Sequence, residues 1–140
     1  MRVEKVVLDT DILSQLMRRN SAVLANAQDY LDWDAPLAIS IVTRYEILRG
    51  FKAKGIPSSA KIYVWFEQFC ATSTVLPVTE QVVMQAADIY ADLYRRGELI
   101  PDADIFIAAT ALANGRGVVT NNERHFRRIL TLSVENWLNP

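Results

Sequence analysis

The stretch Val3-Glu-Lys-Val-Val-Leu-Asp-Thr-Asp11 decides how the chain is read. A short β-branched run, punctuated by Glu4 and Lys5, ends at Leu8 and passes straight into two acids separated by a threonine. The apolar part, Val3 to Leu8, is too short for a helix and reads as a strand. Comparable runs recur at Leu37–Ser40, Thr74–Pro77 and Gly117–Thr120, with Thr131–Ser133 as a candidate edge strand. Between them lie segments of helical period at 11–19, 21–33, 42–53, 79–96, 102–114 and 123–129. A further helix follows Ser58-Ser59, with Ile62, Trp65, Phe66 and Phe69 at helical spacing. Asn20 and Ser21 supply a stop and an N-cap, Ser58-Ser59 a second cap, and Gly97 and Gly115 close two of the later helices. Strands separated by helices pair in parallel through right-handed crossovers. The expected fold is therefore a three-layer α/β domain with a central, mainly parallel sheet of four or five short strands.

Composition agrees with one domain over residues 1–140. Hydrophobic residues make up 51% and charged residues 22%, enough to build a core and too apolar for disorder. Fifteen basic against sixteen acidic residues leave a net charge of −1, which excludes a strongly basic coat but not a local basic face. The longest uncharged stretch, Gln68 to Thr79, falls well short of the roughly 18 residues of a membrane span. Acids interrupt the apolar run at the start of the chain, so no secretory leader is expected. One cysteine, Cys70, makes neither an internal disulfide nor a zinc site and is read as a small buried apolar residue. The expectation is a cytoplasmic protein with no membrane association.

In an open parallel sheet, ligands bind beyond the carboxyl ends of the strands. The first strand runs into Asp9-Thr10-Asp11 and the fourth into Thr120-Asn121-Asn122, while Ser40 and Thr43 flank the exit of the second. Glu46 lies in a helix between Tyr45 and Ile47, where a carboxylate needs a cation or donors to offset its desolvation. Asp104 follows Asp102 at the start of a helix that is apolar nearly all round, so its amino end faces the crevice rather than bulk solvent. Asp9, Glu46 and Asp104 come from distant segments, and carboxylates gathered at one rim repel strongly. A hard divalent cation relieves that repulsion, and oxygen-only ligands select magnesium or manganese. Such an ion prepares water to attack a phosphodiester.

Each residue also has a plainer explanation. Asp102 and Asp104 cap a helix start, Glu46 pairs with Arg49 on the surface, Asp9 and Asp11 cap the first helix, and Asn121-Asn122 makes a turn. His125 reads as a solvated helix residue, and Tyr63, Trp65, Phe66 and Phe69 as core or partner surface.

Taken together, L-D-T-D-I-L at 8–13, T-R-Y-E-I-L-R-G at 43–50, P-D-A-D-I-F-I-A-A-T-A-L at 101–112 and V-V-T-N-N-E-R-H-F at 118–126 resemble the PIN-domain nucleases, in particular the VapC-type toxins of toxin–antitoxin pairs. The resemblance covers essentially the whole chain. It implies a PIN-like α/β/α domain and a magnesium- or manganese-dependent endoribonuclease held in check by a small antitoxin protein. Three family acids fall on Asp9, Glu46 and Asp104, as metal and catalytic residues, and the bracing hydroxyl falls on Thr120. The fourth acidic position carries Asn122, an amide, which puts a second metal in question. Asp11 stands where many relatives carry Asn, and with Asp102 it restores negative charge. Arg44, Arg49, Arg124, Arg127 and Arg128 are candidate phosphate contacts for RNA. Relatives commonly form homodimers, a contact the exposed part of the aromatic stripe would serve. Three alternatives stay open: a PIN nuclease of RNA processing without an antitoxin, a haloacid-dehalogenase-like phosphatase using Asp9, and a non-catalytic domain whose acids are caps and ion pairs.

Overall fold

The computed structural model describes Arg2, residues 4–34 and residues 36–138. Val3 of the expected first strand lies outside the described residues. Five strands form one sheet: β1 (Val6–Leu8), β2 (Ala38–Ser40), β3 (Thr74–Leu76), β4 (Gly117–Val119) and β5 (Val134–Glu135). Their spatial order is β3-β2-β1-β4-β5, and every neighbouring pair is parallel. Helices α1 (Thr10–Met17) and α2 (Ser21–Trp33) connect β1 to β2, and α3 (Ile41–Ala53) and α4 (Lys61–Thr72) connect β2 to β3. Helices α5 (Glu80–Arg96) and α6 (Asp102–Ala113) carry the chain back to β4 on the far side of β1, and α7 (Glu123–Phe126) precedes β5.

The three central strands, β1, β2 and β4, are buried along their whole length and stop where polar rim residues begin, while the edge strands β3 and β5 are part-buried. Pleating sends alternate side chains to opposite layers. Val6, Leu8, Ile39 and Val119 pack against α1 to α4, whereas Val7 and Val118 pack against α5 and α6. Helix α6 is buried nearly all round, with Ile107, Ala108, Ala109 and Ala111 fully enclosed, as its continuous apolar run requires. Phe66 and Phe69 belong to the core, while Tyr63 and Trp65 are part-buried at its edge.

Several boundaries differ from the sequence expectation. Asn20, not Ser21, caps α2: its Oδ1 accepts from the N–H groups of Ala22 and Val23 at 3.0 and 3.1 Å. Ser58-Ser59 do not cap α4. They lie in a turn closed by Ala60 N–H on Pro57 O, and α4 starts after Ala60 without a side-chain cap. The last strand lies at Val134–Glu135 rather than Thr131–Ser133, because Leu132 N–H bonds Ile129 O and keeps that segment in a turn. Cys70 is part-buried rather than buried.

The order of the strands fixes the position of any crevice. Connections from β1 run one way to β2 and β3, and the return to β4 runs the other way. The helices therefore split to opposite faces between β1 and β4, and the rim beyond those two strands is the topological switch point. Asp9 follows β1 there, and Thr120 follows β4.

Candidate functional site

Asp9 is 5% exposed. Its backbone N–H continues the ladder to Val119 O at 2.8 Å, which holds the residue rigidly at the end of β1. Oδ1 accepts from Thr10 N–H at 2.8 Å, making Asp9 the N-cap of α1 as well. Oδ2 accepts from the hydroxyl of Thr120 at 2.8 Å, and the same hydroxyl accepts from Asn122 N–H at 2.8 Å. Thr120 is fully buried and ties the ends of the two switch-point strands together.

Asp11, one helical residue further, accepts from Asn121 N–H through Oδ2 at 3.0 Å. Its Oδ1 is buried and has no hydrogen-bond partner among the described residues. Burial and the neighbouring Asp11 carboxyl push Asp9 up to about 8, against the pull of the Thr120 and Thr10 hydrogen bonds; Asp104 adds a smaller push. Asp11 is raised too, by burial first and by the charge of Asp104, while contacts with Asp9, Asn121 N–H and Ile12 N–H oppose the rise. Three carboxyls thus act on one another at one rim, two of them costly to ionise together.

Asp104 enters this rim from the first turn of α6. Its Oδ2 lies 2.8 Å from Nδ1 of His125, and the terminal amide of Asn122 lies 2.8 Å from the same nitrogen. A proton on Nδ1 would be donated to Asp104, whereas a bare Nδ1 would accept from the Asn122 amide. His125 is therefore not simply a solvated helix residue: α7 is one turn long, and its third residue points back at the rim. The expectation missed it. Its signal in the sequence was its place one turn after Asn122, where a helix begins.

Glu46 reaches the rim through Thr10, whose hydroxyl donates to Oε1 at 2.7 Å and pairs with the buried Thr43 hydroxyl at 3.0 Å. Arg49 stands 3.6 Å from Oε2, so the expected surface pair exists beside the Thr10 bond. Asp102 is exposed and does not figure among the charges acting on Asp9 or Asp11. Among the described residues no three of the acids and histidine stand close enough together to hold a metal ion, and Glu46, like Asp102, is not among the charges acting on Asp9 or Asp11. Asp104 is turned to His125 and Glu46 to Thr10, as like charges settle on nearby donors.

The arginines divide. Arg44 forms a two-pronged pair with Glu67, and Arg127 bonds Glu123. Arg128 donates to the carbonyls of Glu98 and Leu99, and Arg49 lies over the Tyr45 ring. Arg124 is exposed and makes no hydrogen bond or ion pair among the described residues.

The donor set fits a hard divalent ion: oxygen ligands only, one buried carboxylate oxygen without a partner, and a carboxyl whose ionisation burial opposes.

A model of the PIN domain family matches residues 6–130. The chain is 28% identical over 134 residues to ribonuclease VapC2 of Haemophilus influenzae, covering 96% of this chain and 98% of that protein. It is 33% identical over 101 residues to the tRNA(fMet)-specific endonuclease VapC of Salmonella typhimurium, covering 72% and 75% respectively. Among solved structures, DNA-bound VapBC from Salmonella typhimurium superimposes with a TM-score of 0.80 at 25% identity, covering 96% of this chain and 99% of that chain.

Proposed function

This chain belongs to the PIN domain family, and from that premise we propose that it is a magnesium- or manganese-dependent endoribonuclease, the toxin of a toxin–antitoxin pair. The observation that carries the reading is the carboxyl group of three at the β1–β4 switch point. Asp9, Asp11 and Asp104 act on one another there, and one buried Asp11 oxygen lacks a partner. Relatives named as VapC ribonucleases, matched over most of their length, support the choice of RNA and of hydrolysis. A neighbour solved as a VapBC complex supports a small protein partner.

Asp9, Asp104 and Glu46 would hold the ion, with Asp11 as a further ligand and Asn122 supplying an amide oxygen where the family carries a fourth acid. When bound, the ion lets these carboxylates stay ionised together and readies water for attack on a phosphodiester. The chain's own groups do the positioning. Thr120 and Thr10 N–H fix both oxygens of Asp9, so its carboxyl is aimed before any ligand arrives. Thr10 holds Glu46 toward the rim, and His125 holds Asp104. Asp102, exposed at the helix start, adds negative charge without touching the rim. Arg124 is the free cation nearest in sequence to Asn122 and is assigned to a substrate phosphate; Arg44, Arg49, Arg127 and Arg128 reach RNA only by leaving their present contacts.

Residues 1–140 work as one cytoplasmic domain in this reading. No helix among the described residues is long and apolar enough to cross a membrane. A homodimer is part of the proposal, with exposed apolar side chains such as Tyr45, Met84 and Tyr94 available to it. A phosphatase using Asp9 as nucleophile has no supporting observation, whereas the PIN domain family model matches residues 6–130.

The test is cleavage of a defined RNA panel with manganese, beside Asp9→Asn and excess chelator. Cleavage lost in both controls supports the assignment; full cleavage in either overturns it. Co-expression with the adjacent short reading frame separates a toxin, which is silenced, from a processing nuclease, which is not.

A further inference from the structure

Next to the carboxyl rim, α1 and α3 enclose a pocket of about 250 Å³. Ile47, Phe51 and Ile62 line it, the first two buried in the core and so fixed in place. Thr10 and Glu46 form the wall shared with the rim, which joins the pocket to Asp9 through a single residue. Arg18 and Lys54 also line it. Both are exposed, and neither side chain makes a hydrogen bond or ion pair among the described residues, whereas Arg44, Arg96 and Arg127 are all paired with acids.

Gly50 supplies a second, independent observation. It lies inside α3, where glycine weakens a helix. A Cβ built on it would meet nothing within 4 Å, so no neighbouring element requires the glycine. The space it leaves belongs to the pocket.

We propose that this pocket receives one nucleotide of the RNA strand, beside the bond to be cut, and so sets base preference at that position. The flat base lies on the apolar lining provided by Ile47, Phe51 and Ile62. The adjoining phosphates meet Arg18 and Lys54, which have no internal partner to give up. A volume of this size accommodates a single base, and two cations without internal partners beside it suit the phosphates that flank one. The inference rests on the chain being an RNA-cleaving enzyme and names where that enzyme reads its substrate.

The test separates binding from cleavage. A fluorescent single-stranded RNA dodecamer of degenerate sequence is titrated onto the full chain carrying Asp9→Asn, which binds without cutting. Adding Gly50→Leu fills the pocket, and melting at unchanged or higher temperature shows that α3 is intact. RNA affinity is expected to fall about tenfold. Arg18→Ala with Lys54→Ala should reduce the salt slope of binding by roughly 1.4, about 0.7 per phosphate contact. In the otherwise native chain, Gly50→Leu should change the base found at one position flanking the cut. Unchanged affinity and unchanged base preference overturn the pocket assignment. So does a Gly50→Leu chain that handles RNA normally but no longer binds the protein encoded beside it, because the occupant is then a protein segment. Absence of all cleavage by the native chain sinks the nuclease reading alone, since the RNA titration still judges the pocket.

Discussion

Nδ1 of His125 lies 2.8 Å from Oδ2 of Asp104, joining a one-turn helix after β4 to the first turn of the buried helix α6. The bond fixes the orientation of an acid that no backbone amide holds among the described residues. Replacing His125 with Ala frees Asp104 to rotate. Cleavage should drop by roughly 10–100-fold, the usual cost of losing a group that orients a metal ligand. Stability should change by less than about 1 kcal/mol, because the imidazole is partly solvated. Manganese titrations followed by thermal melting should show weaker binding; unchanged manganese affinity with unchanged cleavage would deny His125 this role.

Asp9→Asn should separate stability from activity in opposite directions. The native carboxyl is buried among other acids and pushed up to about 8, so a neutral amide of the same shape relieves the metal-free chain. Above about pH 8, where the native carboxyl is forced to ionise, the variant should melt at a higher temperature than the native chain in chelator; it should also lose the stabilisation manganese brings and cut no RNA. A lower melting temperature in chelator would mean that the carboxylate is held favourably and that the crowding argument is wrong.

The same group sets a pH slope. Asp9 has a folded value of about 8 against an ordinary value of 3.8, so between these limits the folded chain binds more protons than the unfolded one. Stability of the metal-free chain should therefore be greatest at the acid side of the window and fall as pH rises from about 4 to about 8. Manganese should flatten the slope by favouring the ionised form. Denaturant unfolding at pH 5, 6.5 and 8, with and without manganese, measures it; stability rising across this range without metal would contradict the prediction.

Thr120→Val keeps the shape of a fully buried side chain and removes a hydroxyl that both donates to Asp9 and accepts from Asn122 N–H. The loss leaves a backbone donor without its partner, which costs about 1–3 kcal/mol. Cleavage should fall at least tenfold through misplacement of Asp9. Serine at this position should restore most of both. A valine variant with native stability and rate would mean the hydroxyl is dispensable.

Arg124→Ala should weaken RNA binding a few-fold and reduce its salt slope by roughly 0.7, the share of one phosphate contact on a single strand. Arg44→Ala should leave RNA affinity unchanged, because that guanidinium is committed to Glu67. Equal effects from the two would show that present pairing does not predict phosphate contact.

What sequence alone determined was the class of fold and the polar ends of its strands. β-branched runs separated by helical periods leave little choice but a parallel sheet, and Asp9 and Thr120 stand at strand ends by their position in the chain. The candidate acids were legible for the same reason, each sitting where an apolar element stops or where a carboxylate has apolar neighbours. Tertiary structure alone decided which of them meet. Strand order places β4 beside β1, so Asp11 and Asp104 press on Asp9 while Asp102, two residues from Asp104, faces solvent. It turned His125 from surface residue to partner of Asp104, made Thr10 the link to Glu46, and tied up four of five arginines in other contacts. Local pattern reports which face of an element is apolar, but a hydrogen bond between side chains distant in sequence depends on how whole elements are laid against one another.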